Sequence, residues 1–232
     1  MYKLKVIGTP IGNLEDITVR ALKELVHSSI VVCEDTRNYI KLRTLLKEKF
    51  ATFFADLSGD SQKVISYREQ NHERITSQII EVLQHSDVAF VTDAGMPLIS
   101  DPGYLLLKEI REKGIEIEVI PGPTAIEPAL IYSGFTIDKF TFLGFLPREK
   151  SKIIKKIEGT LEVGITTVIY ESPFRVAKTV EIISEKYPNA QVSLSNDLTK
   201  KFEKVITGPI LDVVAQIKGK ELKGEWVIVV SN

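Results

Sequence analysis

The chain of 232 residues has one cysteine, three histidines and almost no net charge, and each shortage excludes a class of protein. A single cysteine can form neither a disulfide framework nor a cysteine-based zinc site. Its apolar surroundings predict a buried strand position for Cys33. The histidines are scattered without the spacing of ligands, so we expect no metal. A formal charge of -1 is unlike that of a protein that coats nucleic acid, although it allows a local basic patch.

Long apolar runs are also missing. None approaches the ~20 residues of a membrane-spanning helix, and residues 226–230 are typical of the longest. The N-terminus has no apolar segment with a cleavage site. We therefore expect a cytoplasmic protein with no membrane partner.

The first half of the chain alternates short β-rich runs with stretches of helical period. Strands are predicted at residues 3–7, 30–33, 88–92 and 115–120. Asp16 is the predicted N-cap of the first helix, and Ile40, Leu45 and Leu46 are predicted to face inward from the second. This rhythm predicts a mostly parallel sheet with helices on both faces.

The sequence PGP at residues 121–123 breaks this rhythm. Later strands, predicted at 140–145, 167–170, 191–194, 202–206 and 226–230, are in part too close for helical crossovers, so antiparallel neighbours are expected. We place a domain boundary near residue 121. The prediction is an α/β protein with an N-terminal domain (1–120) and a C-terminal mixed α/β domain (121–232).

Loops after the predicted strands carry unusual residues, at the sheet edge where α/β proteins bind ligands. GTPIGN at residues 8–13 is either a structural turn or a binding loop, and EDTR at 34–37 is either a capped helix start or a functional cluster. TDAGMPLISDPG at 92–103 favours a ligand loop, because simple turns rarely need so many Pro and Gly residues. PGPTA at 121–125 can be a hinge. At 171–175, Ser172 as N-cap with Pro173 explains the sequence without any function.

Taken in order, these segments resemble the tetrapyrrole-methylase superfamily of S-adenosylmethionine-dependent enzymes, above all its 16S rRNA 2'-O-ribose methyltransferases. GFLPR at 144–148, LTK at 198–200 and GE at 224–225 extend the match to nearly the whole chain. The resemblance implies the two-domain class III methyltransferase fold, S-adenosylmethionine in the cleft between the domains, and a homodimer. It further implies 16S rRNA or the 30S subunit as partner and cytidine 1402 as the methylated nucleotide.

The same resemblance assigns the site residues. The cofactor pocket would use Asp93, Ala94, Gly95, Pro97, Pro121 and Thr124. The substrate side would use Gly8, Pro10, Gly12, Asn13 and Glu171.

Catalysis needs a base, because a ribose hydroxyl is a poor nucleophile. Asp35 is the first candidate. Lys200 is the second, since burial lowers the pKa of some lysines enough for them to act as bases. Arg37 suits a phosphate or carboxylate. Phosphate contacts are also predicted at Lys200–Lys201 and at Lys152, Lys155 and Lys156 with Arg148 and Lys150, although a solvated helix face explains the latter group equally well.

Departures from the family keep two alternatives open. Asn196 replaces a usual Arg, Phe174 replaces a usual His, histidines are missing near residues 67–71, and the C-terminal extension of many relatives is not expected beyond Asn232. The alternatives are a methyltransferase of a small tetrapyrrole and a non-catalytic RNA-binding or assembly factor.

Overall fold

The computed structural model describes residues 2–55 and 62–232, which form two compact units, Met1–Pro123 and Thr124–Asn232. In the described residues, no helix is long and apolar enough to span a membrane.

Unit 1 is built around a five-stranded parallel sheet in the order β3-β2-β4-β1-β5. Its elements are β1 (Lys3–Ile7), α1 (Val19–His27), β2 (Ile30–Cys33), α2 (Thr36–Lys49), α3 (Ala51–Phe54), β3 (Lys63–Ser66), α4 (His72–Val82), β4 (Val88–Phe90), α5 (Tyr104–Glu112) and β5 (Glu116–Ile120).

Both faces of this sheet are covered because its strands are apolar on both sides. Ile7 of β1 packs with Leu22 of α1 on one face. Leu4, on the same strand, packs with Ile79 of α4 and Leu106 of α5 on the other. Each such fully buried side chain contributes about 1.5–3 kcal/mol to folding. The predicted parallel sheet with helices on both faces is confirmed.

Unit 2 contains a mixed sheet in the order β6-β7-β10-β8-β9, in which only the β6–β7 pair is parallel. The predicted antiparallel neighbours are therefore confirmed. Its elements are α6 (Ile126–Ser133), β6 (Phe140–Phe145), α7 (Lys150–Leu161), β7 (Thr166–Glu171), α8 (Val176–Lys186), β8 (Gln191–Asn196), β9 (Lys204–Pro209), α9 (Ile210–Ile217) and β10 (Trp226–Ser231).

The core of unit 2 lies between the sheet and helices α7, α8 and α9. Ile169 and Ile228 of the central strands pack with Ile157, Val180 and Val213 of these helices. Helix α6 packs against β8 and β10.

Two predictions, about the inward face of α2 and the N-cap of α1, are wrong. Ile40 and Leu45 are 54% and 38% exposed, because α2 packs through the face that carries Tyr39 and Leu46. The N-cap of α1 is Thr18, whose Oγ1 accepts a hydrogen bond from Ala21 N–H, and not Asp16.

Ser172 is likewise not the N-cap of α8, which begins at Val176 after Arg175. The carboxylate of Glu171 takes the N–H of Ser172, and the Ser172 carbonyl accepts from the N–H groups of Arg175 and Val176. The capped helix start considered for residues 34–37 is present, with Asp35 as the N-cap of α2. Cys33 is buried as predicted, which raises the pKa of its thiol to about 12.

Candidate functional site

The carboxyl ends of β1, β2, β4 and β5 lie at one edge of the parallel sheet, because these strands all run in the same direction. Four of the loops singled out above therefore meet there: residues 8–13, 34–37, 92–103 and 121–123. We call this place the first edge. It is the position at which open α/β sheets bind ligands.

Two glycines lock three of these loops together. A Cβ added to Gly8 would lie 2.6 Å from the Cα of Gly122 and 2.6 Å from the sulfur of Met96. That sulfur accepts a hydrogen bond from the N–H of Gly122 at 3.1 Å. Thr9 and Gly95 exchange backbone hydrogen bonds of 2.9 and 3.1 Å. Only glycine permits such close approach, so these loops form a stiff framework.

The 92–103 loop has unfavourable backbone geometry. Leu98 and Ser100 have φ angles of 75° and 72°, which side chains other than glycine rarely adopt. Such residues cost of the order of 1–3 kcal/mol each, and they cluster at functional sites when the surroundings hold them in place. The geometry thus agrees with the predicted ligand loop.

The predicted cofactor residues divide by exposure. Asp93, Ala94 and Pro121 are exposed at this edge, whereas Gly95 and Pro97 are buried within it. Exposed residues are available to a ligand, and the buried ones shape the loop.

Thr124 belongs to unit 2. Its hydroxyl donates to the carboxylate of Glu127 and accepts from the N–H of Ile126 at 3.2 Å. It thus begins α6.

The predicted substrate loop shows the same division. Gly8 and Pro10 are buried, while Gly12 and Asn13 are exposed. The side chain of Asn13 accepts a hydrogen bond from Glu15 N–H at 3.0 Å and caps a short 3-10 helix. The tip of this loop is therefore its accessible part.

Carboxylates dominate the electrostatics of the first edge. The pKa of Asp101 is raised to about 6. Burial is the main cause, and the charges of Glu34 and Asp93 add to it. Burial, followed by the charge of Asp93, also raises the pKa of Glu34. Mutual repulsion of this kind favours a ligand with positive charge or several hydroxyl groups.

Asp35 lies in this cluster but is held by guanidinium groups. Arg37 donates from Nε and from a terminal nitrogen to the two Asp35 oxygens, at 3.0 and 2.6 Å. The side-chain bonds from Arg37, followed by its backbone N–H, hold the pKa of Asp35 well below its usual range. An oxygen with so low a pKa is a weak base.

Two residues that contact these carboxylates, Arg68 and Asn38, were not predicted from the sequence. A guanidinium nitrogen of Arg68 lies 3.5 Å from the Asp35 carboxylate. The Asn38 amide donates to Asp93 at 2.6 Å, and Asp93 also accepts from Asp35 N–H at 3.3 Å. Asn38 lies one helical turn after the Asp35 N-cap, a spacing that was visible in the sequence. Arg68 gave no such signal.

In unit 2, Lys200 forms two ion pairs. Its ammonium lies 2.8 Å from Asp197 and 2.6 Å from Glu225. Burial alone lowers the pKa of Lys200, but these hydrogen bonds and charges outweigh it, so the net pKa is raised. The net pKa of Lys200 is thus not lowered, although a role as a base would require that.

The loop that carries Lys200 is held tightly. Asp197 and Thr199 have φ angles of 48° and 64°. Asp197 N–H donates to the Glu225 carbonyl at 2.9 Å. A Cβ on Gly224 would lie 2.1 Å from the Asp197 carboxylate, so only glycine fits there. These contacts fix where the Lys200 ammonium lies.

Glu171 is placed differently from its predicted role. Its side chain has no exposed surface. The two oxygens accept from Ser172 N–H at 2.9 Å and from the Thr179 hydroxyl at 2.7 Å, and Arg175 lies 3.3 Å away. In this arrangement the carboxylate joins β7 to α8, and contact with a substrate stays a prediction.

Acidic neighbours offset much of the basic group on α7. Lys150 pairs with Glu185, and Lys152 pairs with Glu149 at 2.9 Å. Lys156 donates to the Leu143 carbonyl. The contacts favour the interpretation of this group as a solvated helix face.

Comparisons with known proteins agree with this architecture. The sequence profile of the tetrapyrrole (corrin/porphyrin) methylases matches residues 3–214. Two solved structures with similar folds are cobalt precorrin-4 methyltransferase (TM-score 0.67, 16% identity, 99% of this chain and 94% of that one) and diphthine synthase (0.69, 15%, 98% and 89%). At these identities the likeness shows the fold alone.

Curated relatives are much more similar in sequence. A Hydrogenobaculum protein named ribosomal RNA small subunit methyltransferase I is 39% identical over 231 residues, which cover 99% of this chain and 95% of the relative. A Thermotoga maritima protein of the same name is 36% identical and covers 100% and 99% of the two chains.

Proposed function

Because the chain belongs to the tetrapyrrole (corrin/porphyrin) methylase family and is an S-adenosylmethionine-dependent methyltransferase, we propose that it methylates the 2'-oxygen of a ribose in small-subunit ribosomal RNA. The observation that carries this proposal is the 39% identity over almost the full length of both chains with a relative of that name. Cytidine 1402 of 16S rRNA is the proposed nucleotide, and a homodimer in the cytoplasm is the proposed form of the enzyme.

The residues of the first edge suit the cofactor. When bound, S-adenosylmethionine supplies the reactive methyl group on a positively charged sulfur. The acidic side chains Glu34, Asp93 and Asp101 favour that charge and can accept hydrogen bonds from ribose hydroxyls and an ammonium. Ala94 is exposed beside Asp93, and the buried Gly95 fixes the loop through its backbone bonds with Thr9. We propose that Pro97, Pro121 and Thr124 complete this set.

Stiffness at this edge serves methyl transfer. The reaction needs the attacking oxygen, the methyl carbon and the sulfur close to a line, and correct orientation contributes on the order of 7–11 kcal/mol against separated reactants. The paired glycines Gly8 and Gly122 restrict the loops that would provide this orientation. The exposed Gly12 and Asn13 are the proposed contacts with the substrate.

The proposed catalytic residues divide the work according to their charges. Asp35 fixes the Arg37 guanidinium, which is 85% exposed and can bind a phosphate of the RNA. Lys200 stays protonated because its pKa is raised, so we assign it the role of a fixed cation rather than a base. In that role it can stabilise negative charge that develops on the attacking oxygen.

A labelling experiment tests this function. The protein is incubated with radiolabelled S-adenosylmethionine and 30S particles that lack the modification, and the labelled nucleotide is mapped. We expect one labelled ribose, at cytidine 1402. Label on a base, on a tetrapyrrole such as uroporphyrinogen III but not on RNA, or on neither substrate would contradict the proposal. The last result, combined with calorimetry that detects no cofactor binding, would favour the non-catalytic alternative.

A further inference from the structure

One edge of the mixed sheet gathers exposed aromatic rings. Glu171 at the end of β7 pairs with Trp226 at the start of β10, and Trp226 pairs with Asn196 at the end of β8. Phe145 ends β6, which is parallel to β7. The turns at residues 145–148, 172–175 and 197–203 therefore lie at the same edge, which we call the aromatic edge.

Three phenylalanines of the aromatic edge are unusually exposed. Phe174 is 93% exposed, Phe202 72% and Phe145 54%. Burial of such rings dominates the energetics of cores and interfaces, so rings left in water contribute little to folding. Strands lie about 4.8 Å apart, and the turns after β6 and β8 are thus separated by about 14 Å along the edge. A row of this length accommodates more than one ring-sized group.

The turns that carry these rings are fixed by hydrogen bonds. The Arg175 guanidinium donates to the carbonyls of Leu146 and Pro147, at 3.0 and 2.8 Å, and so joins the turns after β6 and β7. Phe145 packs edge-on against Tyr170 with ring centroids 6.0 Å apart. These contacts fix the backbone of the two turns and the Phe145 ring, which lowers the entropy lost when a ligand binds there.

Cations lie among the rings. Arg148 and Lys201 are exposed, and neither forms an ion pair with any residue that the structure describes. The Lys201 ammonium lies over the Phe202 ring, 5.5 Å from its centroid. They differ in this respect from Lys150 and Lys152, which are paired with carboxylates.

We propose that the aromatic edge binds an unpaired stretch of the RNA substrate, with bases stacked on Phe174, Phe202 and Phe145 and phosphates bound by Arg148 and Lys201. Exposed rings alternating with unpaired cations are the chemistry that single-stranded nucleic acid needs. A second copy of the chain fits less well, because the centres of protein interfaces are depleted of lysine. The inference rests on the proposed RNA substrate and names where that RNA is held.

Direct binding to RNA tests the proposal. The probe is a fluorescent single-stranded oligonucleotide with the sequence around the modified nucleotide, compared with the same strand in a duplex. We expect Phe174→Ala and Phe202→Ala each to weaken binding of the single strand by about tenfold, whereas Phe174→Tyr should bind it within about threefold of the wild type. Phe174→Leu should bind as weakly as Phe174→Ala, since leucine keeps the apolar surface but cannot stack. Arg148→Ala should lower the slope of log affinity against log salt by about 1.

Tyr104→Ala is the matched control, because Tyr104 is 73% exposed but lies on α5 of unit 1. It should bind RNA as the wild type does. In methyl transfer, Phe174→Ala should raise KM for RNA about tenfold and change kcat much less, with cofactor affinity retained.

Two results would overturn the proposal. One is RNA binding by Phe174→Ala and Phe202→Ala equal to that of the wild type. The other is a sedimentation result in which the wild type and Phe174→Leu are dimers but both alanine variants are monomers. That result would place a second copy of the chain on this edge. The proposed function is contradicted by a different result, in which the wild type transfers no methyl group to RNA. In that case the oligonucleotide assay still decides whether the aromatic edge binds RNA.

Discussion

The two sheet edges that we propose as ligand sites differ in charge, stiffness and surface. The edge of the parallel sheet carries the carboxylates Glu34, Asp93 and Asp101 on loops tied together by close glycine contacts. The edge of the mixed sheet carries exposed phenylalanines and unpaired cations. The first suits a small cation with hydroxyl groups, and the second suits a flexible polyanion with flat bases.

A chain with almost no net charge can thus carry opposite local charges at the edges of its two sheets. A net charge of -1 concealed both an acidic and a partly basic edge. A sulfonium cofactor and a nucleic acid need opposite local fields, and the two edges offer them separately, apart from the Arg37 guanidinium at the first edge.

The largest effect is expected from Gly8→Ala. The new methyl group would lie 2.6 Å from backbone atoms of Gly122, so the two loops must separate. We expect loss of at least 3 kcal/mol in the free energy of unfolding, about the size of a severe core mutation, and loss of cofactor binding by more than 100-fold. Denaturant unfolding and calorimetry with S-adenosylmethionine measure both.

Gly159→Ala provides the control for that change. Gly159 lies inside α7 with no atom within 4 Å of an added Cβ, so alanine should stabilise the protein by about 0.5–1 kcal/mol. If Gly8→Ala behaved like Gly159→Ala, the loops of the first edge would not depend on this contact.

A smaller effect separates two roles of Lys200. As a fixed cation, it should be replaced in part by arginine, so Lys200→Arg should keep kcat within about tenfold and Lys200→Ala should lose about 100-fold. Because the pKa of Lys200 is raised, this residue stays protonated below pH 8. Its ionisation should therefore cause no fall in kcat as the pH is lowered below 8. Inactive Lys200→Arg, together with a rate that rises with lysine deprotonation, would make it a base.

Stability against pH tests the acidic character of the first edge. Burial raises the pKa of Asp101 to about 6, above its value in the unfolded chain, so the folded state holds this proton longer. The wild type should therefore lose stability relative to Asp101→Asn as pH rises from about 4 to 6, by roughly 1–3 kcal/mol, and the gap should stay constant above that. Equal curves for the two proteins in urea titrations would mean that the carboxyl is not strained.

The smallest effect is expected on α7. Lys152 is 63% exposed and paired with Glu149, so Lys152→Ala should change RNA affinity by less than about twofold. Arg148→Ala, a few residues earlier, should reduce the salt slope. Equal losses from both variants would extend the RNA surface onto the helix and weaken the contrast with the aromatic edge.

Much of the fold could be predicted from the sequence because local patterns determine it. The β-rich runs at Lys3–Ile7 and Ile30–Cys33 end where the loops begin, and both strands were predicted at their observed bounds. The short strand Lys63–Ser66 was missed. Its four residues, two of them polar, have too little pattern to distinguish them from a loop.

Side-chain partners were harder to predict, because they depend on which strands become neighbours. Arg68 reaches Asp35 only because β3 lies beside β2. The raised pKa of Lys200 depends on Glu225, which is 25 residues away in the sequence. The sequence indicated candidate residues for the chemistry, but the protonation state of Lys200 depends on this long-range contact.

Hydrogen exchange under two separate ligands tests most directly the claim that the two edges bind different ligands. S-adenosylhomocysteine, the demethylated cofactor, should protect amides in residues 8–13, 92–103 and 120–123 and leave 172–175 and 197–203 unchanged. Single-stranded RNA alone should protect 172–175 and 197–203. Cofactor protection absent from the first edge, or RNA protection confined to it, would contradict the account.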